Sequence, residues 1–115
     1  MILDIMKSLY DSTRLRILSI LYYKNAPMCV GDVEVVLQLS QPNASRHLKR
    51  LLEDGLVTSH KKTQFVYYEL NPEMMKEYDF LLCLLRKNIE EMKECSEDIR
   101  RLESLDPNRC KNINN

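Results

Sequence analysis

Between Ser40 and Phe65 the chain collects Arg46, Lys49, Arg50, Lys61 and Lys62 and both of its histidines, His47 and His60, against two acids, Glu53 and Asp54. Over all 115 residues, 17 basic side chains balance 17 acidic ones, so this is a local patch in a neutral chain. Its spacing gives it a direction. At about 100° per residue, Ala44, Leu48, Leu51 and Leu52 fall on one side of a helix. Asn43, Arg46, Lys49 and Arg50 fall on the other, with Ser45 and His47 on the shoulders and Gln41 in the first turn. In the DNA major groove an arginine fork matches guanine and an asparagine amide matches adenine, so Asn43 and Arg46 are read as base contacts. Ser45, Lys49 and Arg50, with Lys61 and Lys62 further along, suit the phosphate backbone, where contacts fix register without reading sequence; Gln41 is a further candidate DNA contact, and His47 either donates to a phosphate or packs at the shoulder.

The second reactive set is the four cysteines, Cys29, Cys83, Cys95 and Cys110. None is spaced as a CxxC pair, so no zinc knuckle is indicated. Cys83 lies within Phe-Leu-Leu-Cys-Leu-Leu and is expected as a small buried hydrophobe. Cys95 follows Lys93, and Cys110 stands between Arg109 and Lys111; neighbouring positive charge favours the thiolate. A helix ending near Leu105 leaves Cys95 about 15 Å back from that end. Five extended residues span about 16–18 Å, so a tail reversing at Pro107 just brings Cys110 within reach of Cys95, and the tail of a second copy is an equally good donor. Thiolate pairs of this kind select soft centres such as trivalent arsenic or antimony.

The elements that must position these groups follow from caps and periods. A short amphipathic helix over 2–10 presents Ile2, Met6, Leu9 and Tyr10, and Ser12 is expected to cap a second helix that Asn25-Ala26-Pro27 ends. A third helix is expected from about Asp32 to Leu37. Ser40 followed by Gln41-Pro42 is a strong helix start, running to about Asp54 with Gly55 as the stop. Two helices joined by so short a turn describe a helix-turn-helix. The period then changes to that of a β-hairpin over 56–60 and 65–70, with Lys61-Lys62-Thr63-Gln64 at its tip. Asn71-Pro72 opens a long final helix. There Met75, Tyr78, Leu82, Leu85, Ile89, Met92, Ser96 and Ile99 recur at alternating gaps of three and four, a heptad seam expected to pack on a second copy. With 44% hydrophobic and 30% charged residues, the chain reads as one domain over 1–105 and a flexible tail over 106–115. Charges near the start argue against a signal peptide, and no apolar run suits a membrane span; a cytoplasmic location is expected.

The stretch from Leu9 to Leu18 (LYDSTRLRIL), the SQPNASRHLKRL run from Ser40 to Leu51, Gly55-Leu-Val and the VYYEL strand from Val66 to Leu70 resemble the arsenic-repressor (ArsR) family of bacterial winged-helix regulators. The resemblance covers roughly residues 9–70. It implies a mostly helical protein with a β-hairpin wing, a homodimer joined through the first and last helices. It also implies that the helix after Ser40 enters the major groove of double-stranded operator DNA, and that the protein represses transcription until an inducer binds. Arsenite and cadmium sensors of this family often carry cysteine-valine-cysteine before the third helix. Here the run is Cys29-Val30-Gly31, which keeps one thiol and makes Cys29 the third candidate ligand beside Cys95 and Cys110 for As(III) or Sb(III). The histidines of zinc-sensing relatives are missing from the last helix.

On the heptad seam, Leu82, Leu85, Ile89 and Met92 are the expected dimer contacts. Two other readings remain open at this point. In one, the same DNA-binding fold responds to another metal or to cysteine oxidation or persulfidation. In the other, the chain is a helical dimerisation module without DNA binding. No nucleophile–base pair or phosphate loop suggests an enzyme, and no required cofactor is implied.

Overall fold

The computed structural model describes residues 1–106. Helix α1 (Ile2–Leu9) leads into α2 (Ser12–Lys24), then a two-residue strand β1 (Met28–Cys29), α3 (Val30–Leu37) and α4 (Gln41–Glu53). The hairpin β2 (Val57–Lys62) and β3 (Phe65–Leu70) comes next, and α5 (Pro72–Glu77), α6 (Phe80–Glu91) and α7 (Lys93–Glu103) complete the domain. This is the mostly helical winged helix-turn-helix expected from the sequence.

Local chemistry explains most boundaries. The cap of α2 is Asp11 rather than Ser12: its carboxylate accepts from the Arg14 amide at 3.0 Å. Ser40 caps α4 by accepting from the Asn43 amide at 3.4 Å, with Pro42 in the first turn. Between α3 and α4 the chain turns through Gln38, held in the left-handed region at φ 56°. After α4, Gly55 takes φ 77°, and a Cβ there would stand 2.9 Å from the Met74 side chain. Asn71 both caps α5, accepting from the Glu73 amide, and donates to the Gly55 carbonyl at 2.8 Å, so the two ends of the hairpin are tied together.

The hairpin strands pair in full register from Val57–Leu70 to Lys62–Phe65, leaving Thr63-Gln64 as a two-residue loop. Lys61 and Lys62 therefore end the strand instead of forming the turn. Strand β1 was not foreseen; it adds to the outer edge of β3, giving the order β1-β3-β2. It also starts α3 at Val30, ahead of the expected Asp32.

The largest departure is the final helix, expected as one continuous rod and found as three. Met92 is extended (φ −85°, ψ 114°), and there the chain breaks so that α7 packs on α2 and α3. The break lets Leu102 of α7 join the core that α6 already forms with α2. Leu81 and Leu85 of α6 and Leu102 of α7 join Ile17, Leu18, Ile20, Leu21, Val36, Leu37, Leu48 and Leu51 in one core. Each such fully buried aliphatic contributes about 1.5–3 kcal/mol of apolar transfer, which favours folding back over a solvated seam. The inward face of α1 is likewise Ile5, Ser8 and Leu9, while Ile2, Leu3, Met6 and Tyr10 are exposed. No helix of the described residues is long and apolar enough to cross a membrane.

Candidate nucleic-acid interface and thiol sites

Helix α4 is sharply two-sided. Ala44, Leu48 and Leu51 are completely buried, whereas Gln41, Asn43, Arg46 and Lys49 are exposed and Ser45, His47 and Arg50 half-buried. Among the described residues, neither Arg46 nor Lys49 has a hydrogen-bond or ion-pair partner, so both cations are available to a ligand. Gln41 Nε2 donates to Ser45 Oγ at 2.8 Å, which ties these two polar groups to each other. Arg50 is different: its Nε donates to Asp54 Oδ2 at 2.8 Å one turn later, so part of its fork is already engaged. Lys61 and Lys62 are exposed on the hairpin, carried on the same body as α4 through the packing of α4 on β2.

His47 is set back from this face. Its Nδ1 lies 3.4 Å from Arg14 Nη1. Burial pushes its pKa below the ordinary 6.5, Asp11 opposes that, and the Arg14 and Arg46 charges add to it. The ring is therefore neutral at neutral pH. Arg14 itself ties three helices together, donating to the carbonyls of Ser8 at 2.7 Å and Lys7 at 3.2 Å at the end of α1 while resting on Asp11 and His47.

The cysteine expectations need two corrections. Cys83, expected in the core, is exposed on α6, where Phe80, Leu84, Arg86, Lys87 and Glu90 surround it. Leu81 and Leu85 take the inward positions of that helix and turn Cys83 outward. Cys95, expected as an electropositive reactive thiolate, is fully buried. Burial raises its pKa above the ordinary 9.0, a hydrogen bond with Ser19 opposes this, and nearby Asp98 and Glu94 add to it against Arg16. Asn88 spans the gap, its Nδ2 donating to Ser19 Oγ at 3.0 Å and lying 3.5 Å from Cys95 Sγ. Cys29 is also buried, at the start of α3. Cys110 lies outside the described residues. Among the described residues no three Cys, His, Asp or Glu side chains gather where they could hold a metal.

Of the expected dimer contacts, Leu85 is completely buried in its own domain and is no intersubunit group. Leu82 is 38% exposed, and Ile89 and Met92 are half-buried.

Sequence reading missed a buried ion cluster altogether. The Asp98 carboxylate, fully enclosed, accepts from Arg16 Nε and Nη2 and from Arg101 Nη2, each at 2.8 Å. Asp98 raises the Arg16 guanidinium further above its ordinary range. The one signal in the sequence was the spacing of Cys95, Asp98 and Leu102, which places all three on a single helical face.

Residues 11–59 match the family described as bacterial regulatory protein, arsR family. The arsenic resistance transcriptional regulator ArsR1 of Pseudomonas putida is 40% identical over 78 residues, covering 68% of this chain and 60% of that protein. The chain thus spans about three fifths of the length of the first curated relatives it matches. Among solved structures, the transcriptional regulator HlyU of Vibrio vulnificus is 41% identical with a TM-score of 0.60, over 72% of this chain and 84% of that one. HlyU of Vibrio cholerae in a form described as reduced is 35% identical with a TM-score of 0.61, over 72% and 85%.

Proposed function

The chain belongs to the ArsR family of bacterial regulatory proteins, and from that premise we propose that it is a homodimeric repressor of transcription that releases operator DNA in response to a thiophilic signal. One observation carries the DNA reading: α4 buries its apolar stripe completely while leaving Asn43, Arg46 and Lys49 outward and unengaged. In this reading Asn43 and Arg46 meet base edges. Gln41, Ser45, Lys49, Lys61 and Lys62 meet phosphates, and Arg50 joins them after loosening from Asp54. His47, neutral and set against Arg14, supports the helix from behind and reaches DNA only at its edge. A second copy is the partner for the apolar surface of α1 (Ile2, Leu3, Met6, Tyr10) and α6 (Phe80, Leu82, Leu84), with Ile89 and Met92 at its margin.

The names of curated relatives support an arsenical as the inducer. In this reading As(III) or Sb(III) is held by Cys95 and Cys110 with Cys29 as the third ligand, and DNA binding needs no cofactor. Burial of Cys95 adds a condition: α7 must move before a metalloid reaches it. Oxidation or persulfidation of the same thiols is the second reading, favoured by a relative solved in a form described as reduced; it too requires Cys29 and Cys95 to become exposed first, since oxidation follows thiolate character and access. Mass spectrometry separates the two, since bound arsenic adds its mass to reduced thiols whereas oxidation removes hydrogens or adds oxygen or sulfur. A cytoplasmic setting fits both.

Fluorescence anisotropy on an operator duplex tests the DNA reading. Arg46→Ala should weaken specific binding by about 1–3 kcal/mol and relax preference at one position of each half-site. Lys62→Ala should weaken binding to every sequence and lower the salt slope by about one unit. Parent-like binding by both variants refutes the assigned face.

A further inference from the structure

The last carbonyls of a helix have no partners within it, and how they are satisfied fixes the path of the chain beyond the helix. At the end of α3, Arg16 Nη2 donates to the Leu37 carbonyl at 3.0 Å and Arg101 Nε donates to the Val36 carbonyl. Both guanidiniums are held by one carboxylate, that of Asp98 on α7. The next residue, Gln38, begins the left-handed turn into Leu39 and Ser40, the cap of α4. The turn that aims α4 is therefore braced by a side chain near the far end of the sequence.

We propose that α7 is a latch on this turn, in which Asp98 is a positioning residue for α4 and the opening of α7 both frees the turn and admits reagents to Cys95. The inference rests on the DNA-binding reading for its consequence, though not for its mechanics. Three features make α7 separable from the rest. It joins α6 through the single extended residue Met92. Its polar hold on α2 and α3 centres on one ion cluster, Asp98 with Arg16 and Arg101, joined by the Cys95–Ser19 hydrogen bond and, at the surface, the Tyr23 hydroxyl donating to Glu103 at 2.7 Å, beside the apolar packing of Leu102 and Leu105. Cys95 lies on the same inward face one turn before Asp98 and has no exposed surface while α7 is docked.

Chemistry at Cys95 and the bracing of the turn then exclude each other. A reagent reaches the thiol only in the open state, and by reacting there it holds that state open. In the open state Arg101 leaves with Asp98 on α7, so the Val36 carbonyl loses its donor; Arg16, left on α2 without the carboxylate that orders it, no longer fixes the Leu37 carbonyl, and α4 loses its fixed angle to α3. Two recognition helices must match half-sites about one DNA turn apart, so variable aim weakens binding. The Arg14 tie to α1 and the hairpin pairing are untouched by this opening, which confines the change to one side of the domain.

The full chain carrying Asp98→Asn tests this without DNA. Removing the charge weakens three charge-assisted hydrogen bonds, enough to expect at least about tenfold faster alkylation of Cys95 by iodoacetamide, read by peptide mass spectrometry. Amide hydrogen exchange should accelerate at Leu39 and Ala44 and stay unchanged across β2 and β3. A general loss of stability would speed both regions together. If Asp98→Asn does not fold, Arg101→Gln, which removes one brace from a half-exposed side chain, carries the same expectation. Faster alkylation with unchanged exchange at Leu39 and Ala44, or no change in either, overturns the latch. Failure of the parent protein to bind any duplex would instead overturn the repressor reading while leaving these two measurements valid.

Discussion

Leu82 and Leu85 stand three residues apart on α6, yet they are expected to do different work, and exchanging each tests the folded-back architecture. Leu85 has no exposed surface within a single chain. Leu85→Ala leaves a cavity among Leu81, Leu102 and the α2 side chains, at a cost of about 2–5 kcal/mol. In a domain of this size that corresponds to a fall of roughly 8–20 °C in thermal midpoint. Dimer affinity should barely change, because the residue touches no second copy. Leu82 is already 38% exposed in one chain, so Leu82→Glu should cost the fold of that chain less than about 0.5 kcal/mol. Buried against a partner, the same carboxylate is uncompensated and costs several kcal/mol, enough to dissociate the pair at micromolar concentration. Sedimentation equilibrium reads association, and urea unfolding with circular dichroism reads the fold. A folded Leu85→Ala monomer with a parent-like urea midpoint would return Leu85 to the intersubunit seam and refute its burial between α6 and α2.

The hairpin loop places Thr63, a β-branched residue, at φ 59°. Left-handed backbone costs such a residue about 1–2 kcal/mol. Glycine's extra unfolded-state entropy returns about 0.5–1 of that, so Thr63→Gly should raise stability by about 0.5–1 kcal/mol; a lower melting temperature contradicts the assigned loop. For His47, whose folded-state pKa lies below 6.5, the unfolded chain takes up the proton first. Stability is therefore complete above about pH 6.5 and declines as pH falls below it, a decline that His47→Gln should reduce in urea titrations at stepped pH. Replacing Cys95 or Cys110 with Ser should leave operator affinity intact and abolish release by arsenite, whereas Cys83→Ser keeps the response; release that survives in both former variants but fails in Cys29→Ser moves the sensing site to α3.

What the sequence made legible was local. Ser40, Pro42 and the Ala44–Leu48–Leu51 stripe specify α4 within fourteen residues, and the two β-branched, aromatic runs specify the hairpin. The heptad seam was legible as well, but period alone says that a face is buried, not which body buries it. Leu85 meets its own core because α6 packs on α2, and nothing in residues 88–95 forces the break at Met92 locally. Of the two partners of Asp98, Arg16 lies 82 residues away on α2, beyond any pattern along the chain. Strand β1 is two residues long and exists only by pairing with β3. The cysteines failed for a different reason. Charged neighbours in sequence point to other sides of a helix, so Lys93 and Glu94 say little about Cys95, whereas Asp98 and Leu102 share its face. By the same rule Leu81 and Leu85, flanking Cys83 at two residues, turn it outward.

The central claim is that α4 of two joined copies reads a defined DNA sequence. Selection of bound duplexes from a random library by the purified protein, followed by sequencing, tests it most directly. The expected result is an enriched site with two inverted half-sites centred about 10 base pairs or a multiple apart, in which Arg46→Ala relaxes one base pair of each half. A library that emerges unenriched at moderate salt, or an enriched site that Arg46→Ala reads unchanged, contradicts it.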